Sequence, residues 1–167
     1  MRVVISQSMY FPWVGLLEQI QTADVFVHYD DVQFTRGFYN RVQVKTATGT
    51  PWLTVPLREW HRGQTLDEVR VDDRQDWRSA HRAVLRQAYA RAPYRDQMLA
   101  LADAVWQRPA DTLADVSRAS VRALADYFDL TRTTRFEDAA TLRIPGRATE
   151  RLLAITQALG GTTYVTG

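Results

Sequence analysis

Val3-Val4-Ile5-Ser6-Gln7, Tyr10-Phe11-Pro12-Trp13-Val14-Gly15, Ala23-Asp24-Val25-Phe26-Val27, Asp30-Asp31-Val32-Gln33 and Asn40-Arg41 follow one another in the first quarter of the chain. The two apolar runs show no polar alternation, so each reads as a strand covered on both faces. Between them Pro12 presets a turn, and Trp13, Leu16, Leu17 and Ile20 recur at helical spacing. The expected order is a strand over about 2–6, a helix over about 13–20 and a strand over about 25–29. Such a unit implies parallel pairing through a right-handed crossover. The second strand runs out into carboxylate, amide and guanidinium groups, the raw material of a ligand site beyond the strand ends of a parallel sheet.

Outward from this unit, about 42–46 and 52–57 flank Ala47-Thr48-Gly49-Thr50, a hairpin signal. Residues 66–71 read as a further strand. Asp76 is placed to cap a helix that carries Trp77, His81, Val84 and Leu85 on one face. A second helix is expected over about 95–106. Thr112 and Asp115 have capping-box spacing for a third, reaching Phe128. A fourth covers about 148–159, stopped by Gly160-Gly161, and a last strand covers about 162–165. The expectation is one α/β domain over 1–167. Its sheet is mixed, largely parallel and Rossmann-like, with a β-hairpin and a helical insertion at about 76–128.

Composition narrows the function classes. The chain has 167 residues, 46% hydrophobic and 24% charged, with a net charge of +2. Lys45 is the one lysine among 21 basic residues, and the arginines alternate with acids as on solvated helix faces. No basic run points to general nucleic-acid binding. Without cysteine there is neither disulfide nor thiolate catalysis. No signal peptide or membrane-spanning run is read from the chain, so the expected location is cytoplasmic. No zinc-type spacing, glycine-rich nucleotide fingerprint, Walker loop or Gly-x-Ser-x-Gly elbow occurs. No cofactor motif is present, and the cofactor is unknown.

The candidate site residues are weighed against their plainer roles. Gln7, Tyr10 and Trp13 surround the first strand-to-helix turn, where amide groups hold anions and rings stack on substrates; the alternative is packing. Asp30 and Asp31 are adjacent on extended chain and point in opposite directions, so one of them is expected to face a site. Gln33, Asn40 and Arg41 follow, the last with a fork that fits carboxylate or phosphate. His81 is the proton acceptor best matched to neutral pH, or else a core histidine.

Taken together, these residues resemble the WbqC-like family. The likeness rests on Gln7, Tyr10, Pro12, Trp13, Gly15, Ala23-Asp24, Asp30-Asp31-Val32-Gln33 and Asn40-Arg41. It continues through Trp52-Leu53-Thr54-Val55-Pro56, Trp77, His81, Tyr89, Ala92-Pro93, Thr149 to Leu153 and Gly160 to Gly167. Ser8 stands where the family usually has Pro, and the family pattern usually runs on beyond Gly167, so part of the family's site is expected to lie in that further segment or in another chain. The resemblance implies an α/β fold and a place in bacterial surface-polysaccharide or secondary-metabolite biosynthesis.

The function read from this is group transfer: an acyl or aminoacyl unit moves to an amine or hydroxyl of a sugar or small metabolite. His81 or Asp30 is the base. Gln7, Tyr10, Trp13, Asp31, Gln33, Asn40 and Arg41 bind substrate. The expected partner is a small molecule, with a carrier-bound or tRNA-bound donor and a homo-oligomer left open. The alternatives are a nucleotide-dependent nucleotidyltransferase or ligase, and a non-catalytic ligand-binding module.

Overall fold

A computed structural model describes residues 1–166 of the chain; Gly167, the end of the family-like C-terminal stretch, lies outside the described residues. Four parallel strands form the main sheet in the order β5-β2-β1-β6. They are β1 (Arg2–Ser6), β2 (Val25–His28), β5 (Arg135–Asp138) and β6 (Thr163–Val165). A two-stranded antiparallel hairpin, β3 (Arg41–Gln43) and β4 (Trp52–Thr54), stands apart from it. The helices are α1 (Val14–Thr22), α2 (Trp77–Ala88), α3 (Arg95–Trp106), α4 (Leu113–Tyr127), the single turn α5 (Ala139–Leu142) and α6 (Ala148–Ala158). The fold is α/β, with a parallel sheet and a hairpin.

The unbroken apolar runs of β1 and β2 are explained by helices on both faces. Val4 and Phe26 pack with Leu16 and Ile20 of α1 and Val121 of α4. Val3, Ile5, Val25 and Val27 pack on the other face with Ala139 and Ile155. The chain leaves β1 toward β2 and β5, then returns through α6 to place β6 on the opposite side of β1. The strand order therefore reverses between β1 and β6.

A third apolar cluster joins α2, α3 and α4 to the hairpin side of the molecule, through Tyr10, Trp77, Trp106, Leu113 and Val116. Helix α4 belongs to two clusters: Val116 and Ala119 face this one, and Val121 faces the sheet. The helix starts are set by side chains. Asp76 accepts from the Ser79 N–H at 3.1 Å. Thr112 accepts from the Asp115 N–H at 3.2 Å, while Asp115 accepts from the Thr112 N–H at 2.9 Å, a capping box.

Three expectations change. Residues 66–71 form no strand; Thr65 and Glu68 close a turn instead, with the Thr65 N–H donating to the Glu68 carboxylate at 3.0 Å and the Glu68 N–H to the Thr65 carbonyl at 3.1 Å. Only isolated bridges touch this stretch, among them Leu57 with Val71. Strand β5 was not expected from the sequence: Arg135, Glu137 and Asp138 hide an edge strand whose apolar side is Phe136. The hairpin ladder is also shorter than the apolar pattern suggests. Pro51 lacks an N–H, so beyond Gln43 and Trp52 pairing continues singly, through the Val44 N–H to the Pro51 carbonyl at 3.0 Å.

Candidate functional site

The sequence-predicted residues fall into three groups. The first lies where β1, β2 and β5 end. Asp30 is fully buried and accepts from the Ser8 N–H at 2.7 Å, the Ser8 hydroxyl at 2.8 Å and Arg118 Nε at 2.5 Å. Burial raises the Asp30 pKa above the usual carboxylate range, outweighing the pull of Arg118 and Ser8. Arg118 also grips Asp138. His28 Nδ1 lies 2.8 Å from the Ser8 hydroxyl. Because that hydroxyl donates to Asp30, the ring carries its proton on Nδ1 and donates in turn. Burial pushes the His28 pKa down to about 3, helped by Arg118 and Arg122.

Asp31 points the other way, as adjacent residues on extended chain must. It receives both terminal nitrogens of Arg151, whose guanidinium sits 5.0 Å over the Tyr29 ring. Gln7 Nε2 reaches the Gln33 carbonyl at 3.5 Å. Trp13 caps α1 without a side-chain bond and is largely exposed, its indole folded back over Gly15.

The second group surrounds a cavity of about 620 Å³ between the hairpin, α2, α3 and α4. Tyr10 borders it, with Phe11 and Trp106 beside it. Trp106 Nε1 donates to the Tyr10 hydroxyl at 2.9 Å. The Tyr10 hydroxyl keeps its own proton for His81 Nδ1, 3.0 Å away, which accepts it in the tautomer protonated on Nε2. His81 is buried and packed against Trp77. Burial lowers its pKa to about 4, so at pH 7 it is a neutral imidazole. Burial also holds the Tyr10 phenol above its usual range, so it is protonated.

The third group is a smaller cavity, about 260 Å³, lined by Arg36, Asn40, Arg41, Thr54 and Trp60 among others. Arg41 lies 4.4 Å over the Trp52 ring and Arg36 5.6 Å over Trp60. Asn40 is pinned through Nδ2 to the Val55 carbonyl at 3.3 Å. Arg41 Nε is buried without a partner. The two cavities lie on opposite faces of one hairpin. The pair Arg41 and Thr54 lines the polar one, and the next pair, Val42 and Leu53, lines the apolar one.

The structure thus brings Tyr10 and His81 together, and Asn40 and Arg41 together. Gln7, Asp30, Asp31 and Gln33 gather separately at the sheet edge and border neither cavity. Sequence reasoning missed Ser8, His28, Arg118 and Asp138. One signal for Arg118 was available: it is the lone charge within the small and apolar run Val116-Ser117-Arg118-Ala119-Ser120-Val121. Among the described residues, no cluster of His, Asp and Glu is placed to hold a metal ion, and no helix is long and apolar enough to cross a membrane.

These features define a doubly wound α/β protein with its polar side chains gathered at strand ends and on a hairpin. The profile of the WbqC-like protein family matches residues 7–167, and the chain belongs to that family. It is 32% identical over 169 residues to the uncharacterized protein Rv1507c of Mycobacterium tuberculosis (strain ATCC 25618 / H37Rv); the match covers 99% of this chain and 72% of the relative. No solved structure gives a significant match.

Proposed function

We propose that the chain is a transferase that moves an acyl or aminoacyl unit onto an amine or hydroxyl of a sugar or small metabolite, in surface-polysaccharide or secondary-metabolite biosynthesis. The observation that carries this reading is Arg41, whose buried Nε has no partner beside a polar cavity shared with Arg36 and Asn40. Its guanidinium is half-buried and borders the cavity together with that of Arg36, and a carboxylate or phosphate on the substrate would pair with this charge. In this reading Arg41 and Arg36 hold the anionic group and Asn40 orients its neighbour.

In this reading the acceptor stands in the same polar cavity, which Thr54 also lines, and His81 is the base. It takes the acceptor's proton as the acceptor's lone pair attacks the donor carbonyl, and returns that proton to the leaving group. Tyr10 positions the imidazole through its hydrogen bond to Nδ1. Asp30 acts by positioning, holding the Ser8 turn that carries Tyr10.

The test is turnover. Purified protein is incubated with acyl thioester or aminoacyl donors and amino-sugar acceptors, and products are read by mass spectrometry. His81→Gln is expected to lower turnover at least about 10²-fold. Arg41→Ala is expected to raise KM for anionic substrates with a smaller effect on kcat. A requirement for ATP and Mg²⁺ would move the assignment to nucleotide-dependent ligation.

One observation favours a second reading, a binding module without turnover: His81 Nδ1 is already bonded to Tyr10 and its pKa is depressed by burial. On that reading Arg41→Ala abolishes anion binding, His81→Gln leaves it intact, and no product forms.

A further inference from the structure

The larger cavity has no part in holding the anion, and its walls describe a different ligand. About 620 Å³ is the size of sites that enclose drug-sized molecules. Protein interiors are close-packed, so an apolar space of this size is not a packing default. Its walls come from separate elements: Val42 and Leu53 of the hairpin, Leu85 of α2, Met98 and Leu101 of α3, and Leu124 of α4. Enclosure by four elements suits one thin chain rather than the broad face of a partner helix.

The polar chemistry at its wall is already spent. The Tyr10 hydroxyl is held between Trp106 and His81. A polar ligand entering there would give up hydrogen bonds to water without replacing them, whereas an alkyl chain has none to lose. Gln97 of α3 borders the cavity but is exposed, which places a polar group at the mouth. Tyr94 and Phe128, also on its border, are 67% and 54% exposed, so apolar surface is left facing water.

The backbone adds an independent observation. Phe11 has φ of 45°, the left-handed region, although it carries a bulky side chain and precedes Pro12. Such a conformation costs on the order of 1–3 kcal/mol and persists where the surroundings enforce it. Here the Phe11 N–H donates to the Ser120 hydroxyl at 2.9 Å, and the ring meets Tyr10 and Trp106 edge-on at 4.8 and 6.2 Å. The fold spends backbone strain to keep this ring in the cavity wall.

We propose that this cavity binds the hydrocarbon chain of a medium- or long-chain alkyl or acyl compound, with the polar head at the mouth beside Gln97. The inference goes beyond the transfer reading: it specifies a chain-bearing ligand and requires no turnover.

The experiment uses the whole protein, the uncharged dye N-phenyl-1-naphthylamine and a series of unbranched primary alcohols from hexanol to tetradecanol. The alcohols are expected to displace the dye, with affinity rising about fourfold per methylene, the equivalent of about 0.8 kcal/mol, and levelling off once the cavity is full. Leu101→Trp and Met98→Trp fill the space and should abolish displacement while keeping the circular dichroism of the unaltered protein. If both variants unfold, the chain-length series still decides. A series with no dependence on length overturns the proposal, as does an unchanged series in a folded Leu101→Trp protein. Self-association that releases the dye also overturns it, by assigning the cavity to a second copy. The probes carry no charge, so their failure would leave the Arg41 reading standing, and failed anion binding would leave this one standing.

Discussion

Ser8 holds Asp30 twice, through its N–H to Oδ1 at 2.7 Å and through its hydroxyl to Oδ2 at 2.8 Å. A proline at this place would supply neither donor. This chain therefore secures the end of β1 to the end of β2 by hydrogen bonds that a proline turn could not make, and the same hydroxyl accepts from His28.

Ser8→Ala removes the hydroxyl and is expected to cost about 1–3 kcal/mol, because Asp30 and His28 are left buried with a bond missing. Ser8→Pro removes both donors and should cost more than Ser8→Ala. Urea unfolding of the two variants checks the order. Equal midpoints for Ser8→Pro and the unaltered protein would mean that Asp30 is satisfied from elsewhere.

Arg118 carries a heavier consequence. Arg118→Leu leaves the Asp30 carboxylate buried without its ion-pair partner and is expected to destabilise by about 3–5 kcal/mol. Combining it with Asp30→Leu should recover much of that loss, since the lone buried charge is then gone. A double-mutant cycle on chemical unfolding measures the coupling, and simple additivity would refute the pairing.

Acid should weaken the fold through His28 and His81. Both are neutral in the folded state, with pKa values lowered to about 3 and about 4 by burial, while unfolded histidine takes up its proton near pH 6.5. The unfolded chain then binds more protons between these limits. The contribution is fully present above about pH 7 and is lost as pH falls, at about 1.4 kcal/mol per pH unit for each ring around pH 5. Unfolding midpoints at pH 5 and pH 7 should differ less in His81→Gln than in the unaltered protein, and an identical pH dependence would contradict the burial.

Two glycines should behave in opposite ways. A Cβ at Gly161 would lie 2.6 Å from Val3 Cγ2 and 2.8 Å from the Thr156 carbonyl oxygen, both fixed in the sheet and helix core. Gly161→Ala is expected to cost about 1–3 kcal/mol. A Cβ at Gly15 meets only the Trp13 ring, at 2.1 Å, and that ring is exposed and free to swing out. Gly15→Ala is expected to be neutral or to stabilise by up to about 1 kcal/mol through helix propensity. Thermal melts of the pair separate the two cases.

What was legible in the chain followed from apolar continuity and capping chemistry. Val3 to Ile5 and Val25 to Val27 announce buried parallel strands, and Asp76 and Thr112 with Asp115 announce helix starts. Strand β5 was hidden because an edge strand needs only one apolar residue, Phe136, to hold its place. The 66–71 stretch misled because Leu66, Val69 and Val71 are all buried, a pattern that turns as well as strands can satisfy.

The sites were legible in part for the same reason. Local sequence places Asn40 beside Arg41 and Tyr10 beside Phe11. Nothing local pairs Arg118 with Asp30, which lies 88 residues away, or Arg151 with Asp31, which lies 120 residues away. Those partners exist only once α4 and α6 have docked on the sheet.

The alternation of the hairpin makes parity a shared condition for both cavities. Arg41 faces one side and Val42 the other because neighbouring residues of a strand project oppositely. Deleting a single residue from β3 would turn a cation toward the hydrocarbon-lined space and an aliphatic side chain toward the polar one, ruining both at a stroke. Changes in length within Ala47 to Thr50, beyond the paired residues, leave that parity untouched. Drift in this region therefore has somewhere to go only at the tip of the hairpin, and the strands below it can exchange residues but not lose one.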